Sequence, residues 1–281
     1  MAQDVFWGRV FRRMPAFRGK MRLASIVSKT FLNPEKERVV RLANGLTMKL
    51  PNLIENLAQE LFVQGSYEKE LVDYLVNHLP VDGVFLDVGA NIGAISVFLA
   101  YQRPDVTVYA FEASANIIRY LKENISINKL DNIRFVHNAV YSEDGLDLYF
   151  YSPSGKFGKG SLAPVFTDDK EHVKTVRLDT FCQEKAISPA YIKIDVEGFE
   201  YFVIDGMGDY INGSHVMPVI IFEFVAWAEQ ASSAAFVGAA QTRLIEAGYK
   251  LYDFDEYRKG VANPLKDLIT AGSRELIAVH E

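Results

Sequence analysis

Asp87, Gly89, Asn91 and Gly93 occupy alternate positions in Leu86-Asp-Val-Gly-Ala-Asn-Ile-Gly93. The apolar run Val84-Phe85-Leu86 leads into them, and a helical stretch from about Ala94 to Tyr101 follows. A strand that enters a glycine-punctuated turn and then a helix is the first unit of a nucleoside-binding α/β sheet. Glycines at 89 and 93 are expected to let the backbone approach a ligand, since a Cβ at either position would obstruct it. The turn departs from the dinucleotide pattern Gly-x-Gly-x-x-Gly, because Asn91 replaces the second glycine and no glycine stands three residues beyond it. The acid at 87 sits where a pyrophosphate would be repelled. A cationic ligand fits better, and S-adenosylmethionine, with an ammonium, a sulfonium and no phosphate, has that character.

Other polar residues follow apolar runs in the same way. Glu112 and Ala113 come after Val106–Phe111, where a carboxylate can accept two hydrogen bonds from a ribose diol, a use common to NAD and S-adenosylmethionine sites. Asn138 and Ala139 follow the next run, where an amide could read an adenine amino group. Asp195, Glu197 and Glu200 follow the fourth, and Glu223 the fifth. Each has a plainer alternative. Glu112 and Asp195 could cap helices, Asn138 could shape a turn, and Glu200 could lie on a solvated helix face. Glu223 lies inside an apolar stretch, where an unpaired acid is costly and needs a partner or a role.

The elements that must position these residues alternate. Strands are expected at 84–88, 106–111, 133–137, 190–194 and 218–224, with closing strands near 249–254 and 275–280. Helices are expected from about 92, over 114–128, from about 198 and over 228–247. Alternation of this kind predicts an α/β fold, a doubly wound and mostly parallel seven-stranded sheet whose ligand sits outside the carboxyl ends of the strands. A hairpin is inserted, with Asp144-Gly145 at a turn before strand 146–151 and its partner at 173–178. Residues 66–281 form this domain, opening on an amphipathic helix over 66–79. Residues 1–65 form an extension with a helix over 5–14 and a hairpin over 38–50 that turns at Asn44-Gly45. The loop Ser154–Ser161 is not a P-loop, because Ser161 stands where lysine is required and Pro164 follows. A mobile connection and a lid over an acceptor are its two readings.

The chain has 281 residues, about half of them apolar, and a net charge of −6, which argues against nucleic acid as a partner. Residues 1–30 run the other way, with seven Lys and Arg against Asp4 alone. Their apolar stripe of Trp7, Val10, Phe11 and Met14 is expected to pack on its own domain or a second subunit, with contact to a membrane surface the less favoured reading. Cys182 is the only cysteine, so no internal disulfide can form. With no signal-type apolar segment, a cytoplasmic protein is expected.

These residues together resemble the FkbM family of S-adenosylmethionine-dependent methyltransferases. The likeness rests on Tyr67-Glu68, Leu86–Gly93, Ala110-Phe-Glu112, Asn138-Ala-Val140, Leu178-Asp179 and Ile192-Lys-Ile-Asp-Val-Glu-Gly198. It covers about residues 64–224, with a looser fit at 275–280, and leaves residues 1–60 unmatched. It implies a class I methyltransferase acting on a hydroxyl of a glycan, glycolipid or secondary metabolite, with S-adenosylhomocysteine as product. Asp87, Gly89, Asn91 and Gly93, with Ala90 among them, would surround the methionine end. Glu112 would hold the ribose, Asn138 and Ala139 would border the adenine, and Asp195 would lie beside the sulfonium. An alcohol needs a base. Asp195, Glu197 and Glu223 are the candidates, and Asp195 and Glu223 are favoured because each ends a strand directly. No metal site is expected, since Asp195-x-Glu197 prescribes none and the histidines are dispersed. N- or C-methylation, a non-catalytic nucleoside-binding scaffold and an NAD-linked oxidoreductase are the competing readings.

Overall fold

The computed structural model describes residues 2–15, 17–42, 44–211, 217–232 and 236–280. The extension contains α1 (Ala2–Arg13), α2 (Lys20–Phe31), the hairpin β1 (Arg38–Arg41) and β2 (Thr47–Leu50), and α3 (Asn56–Val63). After α4 (Lys69–His78) the alternating units begin: β3 (Val84–Val88), α5 (Ala94–Gln102), β4 (Thr107–Phe111), α6 (Ala115–Asn128) and β5 (Ile133–Val136). A side sheet of β6 (Ala139–Val140), β7 (Asp147–Tyr151) and β8 (Lys170–Val176) is followed by α7 (Leu178–Lys185). Then come β9 (Tyr191–Ile194), α8 (Glu200–Asp205), α9 (Gly208–Ile211), β10 (Val219–Val225), α10 (Ala226–Ala231) and α11 (Ala239–Glu246). The last elements are β11 (Tyr249–Asp253), α12 (Phe254–Tyr257) and β12 (Ser273–His280).

The main sheet has seven strands in the order β11-β12-β10-β9-β3-β4-β5. Neighbours from β10 to β5 pair in parallel, and β12 alone runs against the rest. This is the expected doubly wound sheet. Alternation along the strands divides the core between its two faces. Phe85, Val108, Ile221 and Ile277 join one apolar layer with α5 and α6, while Leu86, Phe111, Ile220, Phe222 and Leu276 join the other. The first layer also takes in Phe11, Val27, Leu50 and Phe62, so the extension shares the core of the domain.

The inserted hairpin pairs β7 with β8 at Asp147↔Lys174. Its second strand starts at Lys170 and stops at Val176, earlier than expected. Leu178 instead opens α7, where the Asp179 carboxylate accepts the Asp209 and Tyr210 N–H groups. The expected helix over 228–247 is broken. Gly238 takes a left-handed φ of 92°, and its N–H donates to the Glu229 carboxylate at 2.7 Å, so α11 starts afresh. Helices α2 and α3 were not expected. Among the described residues no helix is long and apolar enough to cross a membrane.

Candidate functional site

A cavity of about 460 Å³ opens at the carboxyl ends of β3, β4 and β9. Its wall includes Asp87, Gly89, Ala90, Asn91, Glu112, Ala113, Asn138, Ala139, Asp195, Glu197 and Glu223. Gly93 lies behind the wall; a Cβ there would sit 2.6 Å from Leu121 Cδ1 and 3.0 Å from Val97 Cγ2. A Cβ on Gly89 would overlap the Asp195 carbonyl oxygen. Both glycines also hold φ near +85°, a region that suits glycine. Their absence of side chain therefore serves the meeting of β3 with β9 and the seating of α5 on α6. That corrects the expectation that they clear space for a ligand.

The turn is braced by polar groups. Asn91, itself at φ 53°, donates its backbone N–H to Glu112 Oε2 at 2.9 Å and its Nδ2 to the Phe157 carbonyl at 3.0 Å. The other Glu112 oxygen accepts the Ser114 N–H at 2.7 Å. Ser114 Oγ caps α6, which leaves Glu112 for the turn and the cavity. Glu112 is 7% exposed, and burial pushes its carboxyl up to about 7 against the pull of those N–H donors. Asn138 donates Nδ2 to the Lys174 carbonyl at 3.0 Å, so its Oδ1 is the atom suited to accept from an adenine amino group.

Asp87 is 1% exposed. One oxygen accepts from Ser96 Oγ, and Oδ1 has no hydrogen-bond partner in the protein. Beside it stands Lys193, 5% exposed, whose Nζ lies 2.9 Å from Asp195 Oδ2. Burial acts to lower the Lys193 pKa, but Asp195, Glu68 and Asp87 outweigh it and hold the ammonium well above the usual lysine range. Glu68, at φ 41° just before α4, keeps Oε2 buried and without a partner, and burial raises its pKa.

Three further glutamates face the cavity. Glu197 has a left-handed φ of 51°, and its carbonyl accepts from Ser161 Oγ at 3.2 Å. Glu223 on β10 stands directly opposite Glu275 on β12, and Ser273 Oγ donates to Glu223 Oε1 at 3.3 Å. Like charges facing one another across strands repel. Burial, then neighbouring carboxylates, pushes Glu197 and Glu223 up to about 7. Glu275 is pushed up to about 8 mainly by burial, with Glu68, Asp195 and Glu223 adding to it. Glu200 belongs elsewhere. It is 2% exposed and accepts the Val196 and Gly198 N–H groups, bracing the turn after β9. A solvated helix face is therefore the wrong reading of Glu200.

The 152–168 loop covers the cavity and is pinned. Phe157 and Ser161 are buried, Ser161 bonds to Glu197, and Asn52 Nδ2 donates to the Gly155 carbonyl at 2.9 Å. Sequence reasoning assigned no role to Lys193, Glu68 or Glu275. Lys193 had a signal, since a lysine inside Tyr191-Ile-Lys-Ile must be paired if the strand is buried. Among the described residues no three His, Cys, Asp or Glu side chains are grouped to hold a metal ion.

Residues 87–254 match the family described as Methyltransferase FkbM domain. The AMB antimetabolite synthetase AmbE of Pseudomonas aeruginosa is 45% identical over 74 residues, 26% of this chain and 3% of that protein. The 31-O-demethyl-FK506 methyltransferase FkbM of Streptomyces tacrolimicus is 28% identical over 60% of this chain and 75% of its own length. The hexuronic acid methyltransferase AglP of Haloferax volcanii is 27% identical over 55% of this chain and 62% of its own length.

Proposed function

We propose, for a chain that belongs to the FkbM methyltransferase family, that it binds S-adenosylmethionine in this cavity and methylates a hydroxyl of a glycan, glycolipid or secondary metabolite. The family carries S-adenosylmethionine-dependent methyl transfer. The choice of a hydroxyl draws on the relatives, one named a 31-O-demethyl-FK506 methyltransferase and one a hexuronic acid methyltransferase. The observation that carries the cofactor assignment is Asp87, a buried carboxylate on the cavity wall with an oxygen that no protein group satisfies. A ligand ammonium would satisfy it, whereas a pyrophosphate would be repelled. A volume of about 460 Å³ also suits a small-molecule ligand, for which sites run to about 300–1,000 Å³.

In this reading Glu112 takes the ribose hydroxyls on lone pairs left over from its two backbone bonds. Asn138 Oδ1 and the backbone at Ala139 border the adenine, and Asp87 and Glu68 receive the ammonium. When bound, S-adenosylmethionine supplies an electrophilic methyl group on sulfur. The protein must hold the acceptor oxygen in line and remove its proton. Glu223 is the proposed base. Its carboxyl is raised towards neutrality, so it is partly ionised at pH 7 and basic enough to take a proton. Glu275 opposite, raised further, retains its proton and relieves the repulsion between them. Asp195, one of the two residues favoured from position, is engaged by Lys193 and is the poorer base. The loop carrying Phe157 keeps water from the cofactor.

Calorimetric titration with S-adenosylhomocysteine, with NADH in parallel, tests the assignment. Saturable binding of S-adenosylhomocysteine that is lost in Glu112→Ala is expected. Binding of NADH alone would overturn both the function and the roles given to the residues.

A further inference from the structure

The apolar stripe of α1 packs inward as expected: Phe11 is buried, and Trp7 stacks on it at 6.0 Å between ring centroids. The opposite face of the helical pair has a second character. On α1 the exposed residues Phe6, Arg9 and Arg13 recur at i, i+3 and i+7, one face of a helix. On α2 the exposed residues Arg22, Ile26 and Lys29 recur at i, i+4 and i+7, with exposed Leu23 beside them. Phe17 and Arg18 are exposed in the turn between the helices. Phe31, 56% exposed, stacks on Trp7 at 5.5 Å, and Trp7 in turn meets Phe6, so the aromatic surface runs from one helix to the other.

Large apolar side chains at 58% (Phe6) and 61% (Ile26) exposure, interleaved with cations, are costly in water unless something covers them. Charge says what would. Seven cations and one acid give residues 1–30 a charge of +6, which leaves −12 on the remainder of a chain whose total is −6. We infer that α1 and α2 dock the protein on an anionic lipid surface. The cations are drawn to the headgroups, the Phe, Leu and Ile side chains enter the interface, and the acidic body is held away from it. Helices α1 and α2 rest on α3, and Glu55, Asn56 and Leu57 at the start of that helix line the cavity. An acceptor carried on a lipid, such as a lipid-linked glycan, then lies within the enzyme's reach. That last consequence rests on the methyltransferase reading, and the docking does not.

Co-sedimentation with vesicles, without cofactor, tests the docking. The protein should bind vesicles of mixed phosphatidylcholine and phosphatidylglycerol, bind phosphatidylcholine alone far more weakly, and be released by high salt. Arg9→Gln with Arg22→Gln removes two exposed cations and should weaken binding about 30-fold, at about 1 kcal/mol for each. Ile26→Ser should weaken it at every salt concentration. All three side chains point to solvent, so unchanged thermal unfolding of the variants shows that folding is intact. Equal binding to both vesicle types, or to neither, overturns the inference. So does a dimer in solution that Ile26→Ser converts to monomer, since a second copy would then be what covers the face.

Discussion

Replacing Lys193 by methionine should destabilise the protein, and the loss should shrink as pH falls. Lys193 is buried, and its bond to Asp195 at 2.9 Å is the closest charge compensation in a wall that also holds Asp87 and Glu68. Methionine fills a similar volume and strands these acids. Removing one partner of a buried pair costs about 3–5 kcal/mol. The Asp195 side chain is 27% exposed, so water screens part of this and the lower end, about 3 kcal/mol, is expected. The stranded acids have an escape, which is protonation. The cost of that protonation falls by about 1.36 kcal/mol for each unit by which pH falls. Urea titrations of wild type and Lys193→Met at both pH values measure the difference. The double variant Lys193→Met/Asp195→Asn removes both charges of the pair and should recover part of the loss at pH 7. An equal deficit at pH 5 and pH 7, or a double variant no better than the single, would refute the account of Lys193 as the counter-ion of this wall.

Two further outcomes follow from the raised carboxyls. Glu112, pushed up to about 7, must be ionised to accept from two backbone N–H groups and two ribose hydroxyls together. Below that value binding has to expel a proton, so S-adenosylhomocysteine affinity should fall about tenfold between pH 8 and pH 6, and this dependence should vanish in Glu112→Gln. Glu223→Gln should lower turnover on any acceptor the protein methylates by about 10²–10⁴-fold while leaving S-adenosylhomocysteine affinity nearly unchanged. Wild-type turnover should decline below about pH 7 as Glu223 takes up its proton. If Glu197→Gln carries the loss instead, the base is Glu197.

The strand-end rule found most of the site because parallel order forces it to. In β3, β4, β9 and β10 the chain leaves the sheet at the same edge, so the residue after each apolar run arrives at one place. Glu112 after β4, Asn138 after β5 and Asp195 after β9 were legible for that reason alone, whereas Glu223 does not end its strand as expected but lies within β10, which runs on to Val225. Glu275 was not, because β12 runs the other way and meets the same edge with its beginning. A rule that reads the residues after strands passes over a residue near the start of one. Glu68 precedes a helix in a left-handed conformation, which no local pattern announces. The break before α11 depends on a Glu229–Gly238 bond formed only in the folded chain.

Gly89 and Asp195 show a different limit, in which a residue lies at the cavity as expected but serves a contact within the protein. Gly89 lies at the cavity, yet its missing side chain makes room for the Asp195 carbonyl. Asp195 ends its strand at the cavity, yet its carboxylate is held by a lysine two residues earlier, whose own side chain lies on the same face because strand side chains alternate. The spacing Lys193-x-Asp195 thus specifies an ion pair at the end of β9, and the pairing engages Asp195 while Glu223, on the neighbouring strand, has no cation bonded to it and a raised pKa. Spacing marks where charge gathers. Which charge is compensated depends on contacts made only in the fold, and that decides which carboxylate takes up a proton near neutral pH.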